Sequence, residues 1–182
     1  MVTVLLASLV VGGSSIQGKL GGSPVTLRHA TVKIMGFASV SDHGKVKDRA
    51  RQYSLELAET DEFMCDRSLS IWFQINPGES IANRTFEFKP FEFGTPGWRA
   101  QQYGGRTGSI VPRGITTVFA SDRTRGNSYS VSEIEKFSST IKFSKPQNGW
   151  VAGTVKVALP GKPVTALSGE FRAKITNQEV MP

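Results

Sequence analysis

Apolar and polar residues alternate along most of this chain, most cleanly in its last third. Ile141 and Phe143 sit between polar neighbours. Val151, Val155, Val157 and Leu159 follow the break at Pro146-Gln147-Asn148-Gly149. Leu167, Phe171, Ala173 and Ile175 follow Pro160-Gly161-Lys162-Pro163. A period of two between Gly/Pro breaks predicts half-buried antiparallel strands. The same signature recurs upstream: Ile16 to Leu20, Val25 to Met35 with an irregularity near His29-Ala30, Gln52 to Ala58, Leu69 to Ile75, Phe86 to Phe88 and Ile110 to Ala120. Lys45 to Arg51 reads as a polar loop or strand edge, and Glu59 to Asp66 as an acidic loop. Ser130 and Glu133 fit a capping box with Ile134 and Phe137 on one face, which predicts one short helix over 130–137.

The fold expected is all-β, an antiparallel β-sandwich of roughly eight to ten strands with at most one short helix. Its core is predicted at Leu27, Ile34, Leu55, Leu57, Ile71, Phe73, Phe86, Phe88, Ile141, Phe143, Val155, Val157, Phe171 and Ile175. Ile115, Val118 and Phe119 are also expected inside. A chain of 182 residues with 11 Phe can fill such a core without a disulfide or metal. Residues 14–182 are read as one domain. Residues 1–13 are read as a secretory signal cleaved near Gly13, or alternatively as an apolar first strand; at about ten residues the apolar run is too short to span a bilayer. The signal reading implies a secreted, periplasmic or cell-surface protein. Gly22-Ser23-Pro24-Val25-Thr26 echoes Gly161-Lys162-Pro163-Val164-Thr165, as two hairpins with similar turn chemistry would.

The charge changes the picture only slightly. The net charge of +7 favours polyanionic partners. However, no run of basic residues is longer than two, which disfavours nucleic acid; scattered Lys and Arg also suit solvated faces and protected sheet edges. Arg99, Arg106, Arg113, Arg123 and Arg125 would form a basic patch if their loops met. A single cysteine, Cys65, excludes an internal disulfide, and with only His29 and His43 in the chain neither a Cys–His nucleophile nor a zinc site is expected. Glu59, Asp61, Glu62 and Asp66 lack the spacing of a calcium loop. Asn83-Arg84-Thr85 is a glycosylation sequon. No phosphate loop or Ser-His-Asp order is present, and no cofactor is expected.

The longest irregular stretch, residues 94–108, offers the best ligand chemistry. Trp98, Arg99, Gln101, Gln102, Tyr103 and Arg106 combine aromatic platforms, amides and guanidinium groups suited to a sugar face or an acidic group. The function expected is therefore a non-catalytic, exported module binding a glycan or acidic surface through that loop. The alternative is a structural subunit of an extracellular assembly, self-associating through sheet edges with the apolar N-terminal segment donated as a strand. A glycan-active enzyme ranks below both. The ending Gly153-Thr154-Val155-Lys156-Val157-Ala158-Leu159-Pro160-Gly161 … Leu167-Ser168-Gly169-Glu170-Phe171-Arg172-Ala173-Lys174-Ile175 resembles the closing hairpin of bacterial secreted and lipoprotein β-sandwich domains. The resemblance covers that hairpin alone and implies fold and compartment, not function. It departs from the lipoprotein version in having no cysteine near the N-terminus.

Overall fold

The structure, a computed structural model, describes residues 13–62, 65–88, 111, 113–132 and 137–177. It is all-β: β1 (Ser15–Leu20), β2 (Ser23–Leu27), β3 (His29–Asp42), β4 (Lys45–Ala58), β5 (Arg67–Ile75), β6 (Thr85–Glu87), β7 (Gly114–Asp122), β8 (Asn127–Ser132), β9 (Ser138–Phe143), β10 (Trp150–Leu159) and β11 (Thr165–Asn177). Among the described residues the only helical element is a 3-10 turn at Arg123–Arg125. One hydrogen-bonded path runs β6-β9-β10-β11-β3-β4-β5-β7-β8, with the β1–β2 hairpin attached to β11. All ladders are antiparallel except one. β11 meets β3 in parallel, from Lys174–Thr31 to Asn177–Ile34. A parallel pair needs a long crossover, and here most of the chain lies between the two strands. A further parallel bridge, Phe88 to Ile115, brings β6 back beside β7. The sheet thus curls until its halves face each other across one core, as the layers of a sandwich do.

Phenylalanine rings fill that core. Phe73 on β5 packs against Phe86 (4.7 Å between centroids), Phe143 (5.5 Å) and Tyr53 (5.3 Å), and Phe143 meets Phe171 at 5.6 Å. Leu27, Leu55, Leu57, Ile71 and Ile141 are fully buried with them. Of the predicted core, only Ile34 and Ile175 are half-buried, packed against its margin. They lie in the parallel junction, whose ladder ends at the Asn177–Ile34 pair.

Four expectations need correction. Phe119 points out and is 38% exposed. The β5–β7 register shifts at Trp72/Phe73, which inserts Thr116 between Ile115 and Thr117. Such a bulge reverses the parity downstream, so Val118, Ala120 and Asp122 face inward and Phe119 stacks edge-on against Trp72, 5.2 Å away. Ser130 to Ser132 belong to β8, not a helix; they pair with Phe119, Val118 and Thr117 because the open edge of β7 offers unpaired backbone groups. The remainder of that predicted helix, 133–136, lies outside the described residues. Of the two readings of Lys45 to Arg51, the loop falls and the strand edge holds. It pairs with residues 37–42 of β3 around a two-residue turn whose His43 and Gly44 both have positive φ, matching the strand twist. The predicted strand from Val25 breaks only at Arg28.

The two echoing turns touch. Gly22 N–H donates to Val164 O at 2.8 Å and Gly21 N–H to Thr165 Oγ1 at 2.9 Å. Beside them, β1 and β11 approach through two glycines. A Cβ on Gly18 would lie 2.0 Å from Ala166 O, and one on Gly169 2.1 Å from Ser15 O.

Ile71→Ala and Phe171→Ala should each cost about 2–5 kcal/mol in chemical denaturation, the range for large-to-small changes in a packed core. Phe119→Ala should cost less than half as much. Equal losses at all three positions would contradict the parity reversal. Gly169→Ala should destabilise by forcing β1 off β11, at φ +156.

Candidate functional site

The outer face of the curled sheet carries a transverse row of side chains set by register alone. Trp150 on β10 pairs with Lys174 on β11, Lys174 with Thr31 on β3, Thr31 with Glu56 on β4, Glu56 with Ser70 on β5, and Ser70 with Phe119 on β7. Residues two apart on a strand share a face, so Arg172 joins Lys174, and His29 and Lys33 join Thr31. All of these but Ser70 and Phe119 border a concavity of about 810 Å3. Arg28, Lys33, Arg123, Arg172 and Lys174 supply cations; Glu56, Asp61 and Glu62 supply acids.

The backbone beneath is tightly held. Ser14 N–H donates to Arg28 O at 3.0 Å and Arg28 N–H to Ala58 O at 2.9 Å. Arg172 N–H donates to Ser14 Oγ at 3.2 Å. Trp150 closes its hairpin with reciprocal backbone bonds to Gln147 (2.8 and 2.9 Å), and its ring lies 5.2 Å from the Arg172 guanidinium carbon. The ring is nonetheless 39% exposed. Ser70 Oγ–H donates to Glu56 Oε1 at 2.8 Å and accepts from Trp72 Nε1–H at 3.1 Å, which fixes that carboxylate.

Among the described residues none of these five cations forms an ion pair; the pairs present are Arg67–Glu59, Arg84–Glu79 and Arg113–Asp48. Nor does edge protection account for the cations on β3 and β11. Lys33 and Lys174 sit where each strand has neighbours on both sides. Unpaired cations gathered in a hollow concentrate positive potential and attract anions.

The sequence-predicted site residues Trp98, Arg99, Gln101, Gln102, Tyr103 and Arg106 lie outside the described residues, as do residues 1–12. The Phe88–Ile115 bridge places both stems of that loop side by side. They emerge at the far end of β5 and β7 from the cationic concavity. A second hollow of about 520 Å3 lies there, lined by Gln74, Asn76, Glu79, Arg84, Glu87 and Arg113. The predicted arginine patch does not assemble from its described members. Arg113 precedes β7 and Arg123 and Arg125 follow it, roughly 30 Å apart at strand rise. Arg113 is also committed locally, donating to Asp48 Oδ1 at 2.9 Å, to Asn76 Oδ1 at 2.7 Å and to Val111 O. Burial raises the Asp48 pKa, but the Val111 N–H and Arg113 outweigh it and hold the carboxyl below its usual range.

Other sequence candidates resolve as structural parts. Glu59 of the acidic loop pairs with Arg67, and no group of three or more His, Cys, Asp or Glu among the described residues could hold a metal ion. Cys65 Sγ–H donates to Arg67 O at 3.0 Å, and Sγ accepts from Thr60 N–H at 3.5 Å. Burial pushes the thiol up, and hydrogen bonding with Thr60, Arg67 and Glu59 together more than offsets it, leaving it below the ordinary value. Asn83 of the sequon is exposed in a positive-φ turn. Among the described residues no helix is long and apolar enough to cross a membrane.

Comparison with protein-family models, curated proteins and solved structures finds no match for this chain. The site is therefore read from its own geometry. Trp150, Arg28, Lys33, Arg172 and Lys174 are invisible as a group in the sequence, where they are dispersed over β10, the β2–β3 junction, β3 and β11. Their outward positions could be read from alternation; their adjacency requires the β10-β11-β3-β4 order.

Glu79 gives a test of the second hollow's electrostatics. Hydrogen bonds from Arg84 (2.7 Å) and then from Asn76 lower its pKa from 4.5 to about 2. A depressed carboxyl contributes stability that is present above 4.5 and lost as pH falls through about 2. Glu79→Gln should therefore flatten the acid limb of a stability–pH curve between those values, more so at low salt because the pair is partly exposed. An unchanged acid limb would show that the pair contributes nothing.

Proposed function

We propose that this chain is a non-catalytic, exported binding module for an acidic glycan, and that the glycan seats in the outer-face concavity. The observation that carries this reading is the set of cations, without an ion pair among the described residues, gathered beside the exposed Trp150 on the outer face. Sulfate and carboxylate groups suit Arg and Lys donors. The apolar face of a sugar ring suits Trp150. Glu56, Asp61 and Glu62 suit sugar hydroxyls, which donate to carboxylates. The platform is rigid sheet, so little ordering is required on binding. The 94–108 loop, with Trp98 and Tyr103, is proposed on its composition as a separate contact region.

Calorimetric titration should show binding to heparin and polygalacturonate and none to neutral dextran. Raising sodium chloride from about 0.05 to about 0.5 M should weaken binding severalfold, because screening shortens the reach of exposed charges. Lys33→Glu/Lys174→Glu should weaken it at least tenfold while leaving the melting temperature within a few degrees. Equal affinity for dextran, or an unchanged affinity in the double variant, would overturn the assignment.

A further inference from the structure

We propose that the concavity is one half of a longer track, which takes a linear anionic polysaccharide lengthwise across the strands rather than a short terminal sugar. This rests on the acidic-glycan reading above. Trp150 and Arg172 border the concavity and also a third hollow, of about 410 Å3, on their other side, where Lys145 and Gln147 stand. The Trp150–Arg172 pair is thus a ridge shared by two adjoining depressions, not the wall of one.

From the β9–β10 connection across β10, β11 and β3 to β4, the track crosses strands spaced about 4.8 Å apart, so it extends roughly 20 Å. Cations recur along it: Lys145 beyond the ridge, Arg172 on it, Lys174 and Lys33 in the concavity. A ligand with repeating negative groups meets a cation at each stage and crosses the ridge against an aromatic ring. A one- or two-sugar ligand fills only one depression. Engaging both through one chain makes the second contact intramolecular, so affinity rises with length until the track is full.

Two features favour a polysaccharide over single-stranded nucleic acid, whose binding sites stack successive bases on several aromatic rings. Among the described residues lining this track Trp150 is the one exposed Phe, Tyr or Trp, and it already carries Arg172. The carboxylates of Glu56, Asp61 and Glu62 beside the cations accept hydrogen bonds from free sugar hydroxyls, which a polysaccharide offers along its length and a DNA strand does not.

The test is calorimetry of the full chain with size-fractionated heparin oligosaccharides, from disaccharide to decasaccharide, against oligo-dT of matched contour length. Affinity should rise at least tenfold between tetrasaccharide and octasaccharide and then level off. Lys145→Glu should return the long chains to near tetrasaccharide affinity, whereas Lys33→Glu should weaken every length. Length-independent affinity, with Lys33→Glu still weakening binding, would overturn the track and leave the concavity standing. Absence of binding at every length would overturn both. Tighter binding of oligo-dT, competing with heparin, would overturn the polysaccharide assignment.

Discussion

Four residue pairs hold the two halves of this protein together as one sheet. The parallel junction from Lys174–Thr31 to Asn177–Ile34 joins the antiparallel set β6-β9-β10-β11 to the antiparallel set β3-β4-β5-β7-β8. Without it the two sets would be linked only at their other edge, through the Phe88–Ile115 bridge, and packed through Phe73, Phe86, Phe143 and Phe171. The same junction sets the outer face. It puts Lys174 beside Thr31 and so aligns Trp150, Lys174, Lys33 and Glu56 over one surface. β11 can serve both neighbours because its outer edge is divided: residues 166–170 pair with β1, and residues 174–177 with β3. The two glycines that admit β1, Gly18 and Gly169, and the Ser14 hydrogen bonds to Arg172 hold that division in place.

Much of this fold is legible in the sequence, since alternation between turn residues is a direct record of which side chains face water. Leu69, Ile71, Phe73 and Ile75, and the closing strands from Ile141 to Ile175, fall where their spacing puts them. The departures have local causes. A one-residue bulge at Thr116 inverts the faces of everything after it, and no composition signal marks it. Ser130 to Ser132 carry a plausible capping pattern, yet the neighbouring open edge of β7 outweighs a short helix that has few apolar contacts to stabilise it. Lys45 to Arg51 lacks an apolar alternation because this part of the β3–β4 hairpin extends past the end of β5, whose pairing stops at Arg51–Ile75. Strand formation there follows from hairpin register rather than burial.

The site is less legible than the fold, for a physical reason. Its residues are contributed one or two per strand from β3, β4, β10 and β11, with long stretches of chain between them, and a charge count treats them as dispersed. Only the order of strands makes them a cluster. The irregular 94–108 stretch draws attention in the sequence because aromatic, amide and guanidinium groups are contiguous there. Contiguity is what a sequence displays; convergence is what a sheet creates. The two regions make separable claims about where a ligand binds.

The most direct test of the central claim, that the outer-face row is the binding surface, is amide and tryptophan side-chain NMR of the full chain titrated with a heparin octasaccharide. The account predicts the largest shifts at Trp150 Nε1–H and at the amides of Arg172, Lys174, Thr31 and Lys33, with little change around Gln74, Arg113 and Gly114. Shifts concentrated at Gln74, Arg113 and Gly114, with Trp150 and Lys174 silent, would contradict it and move the site to the loop end of the sheet.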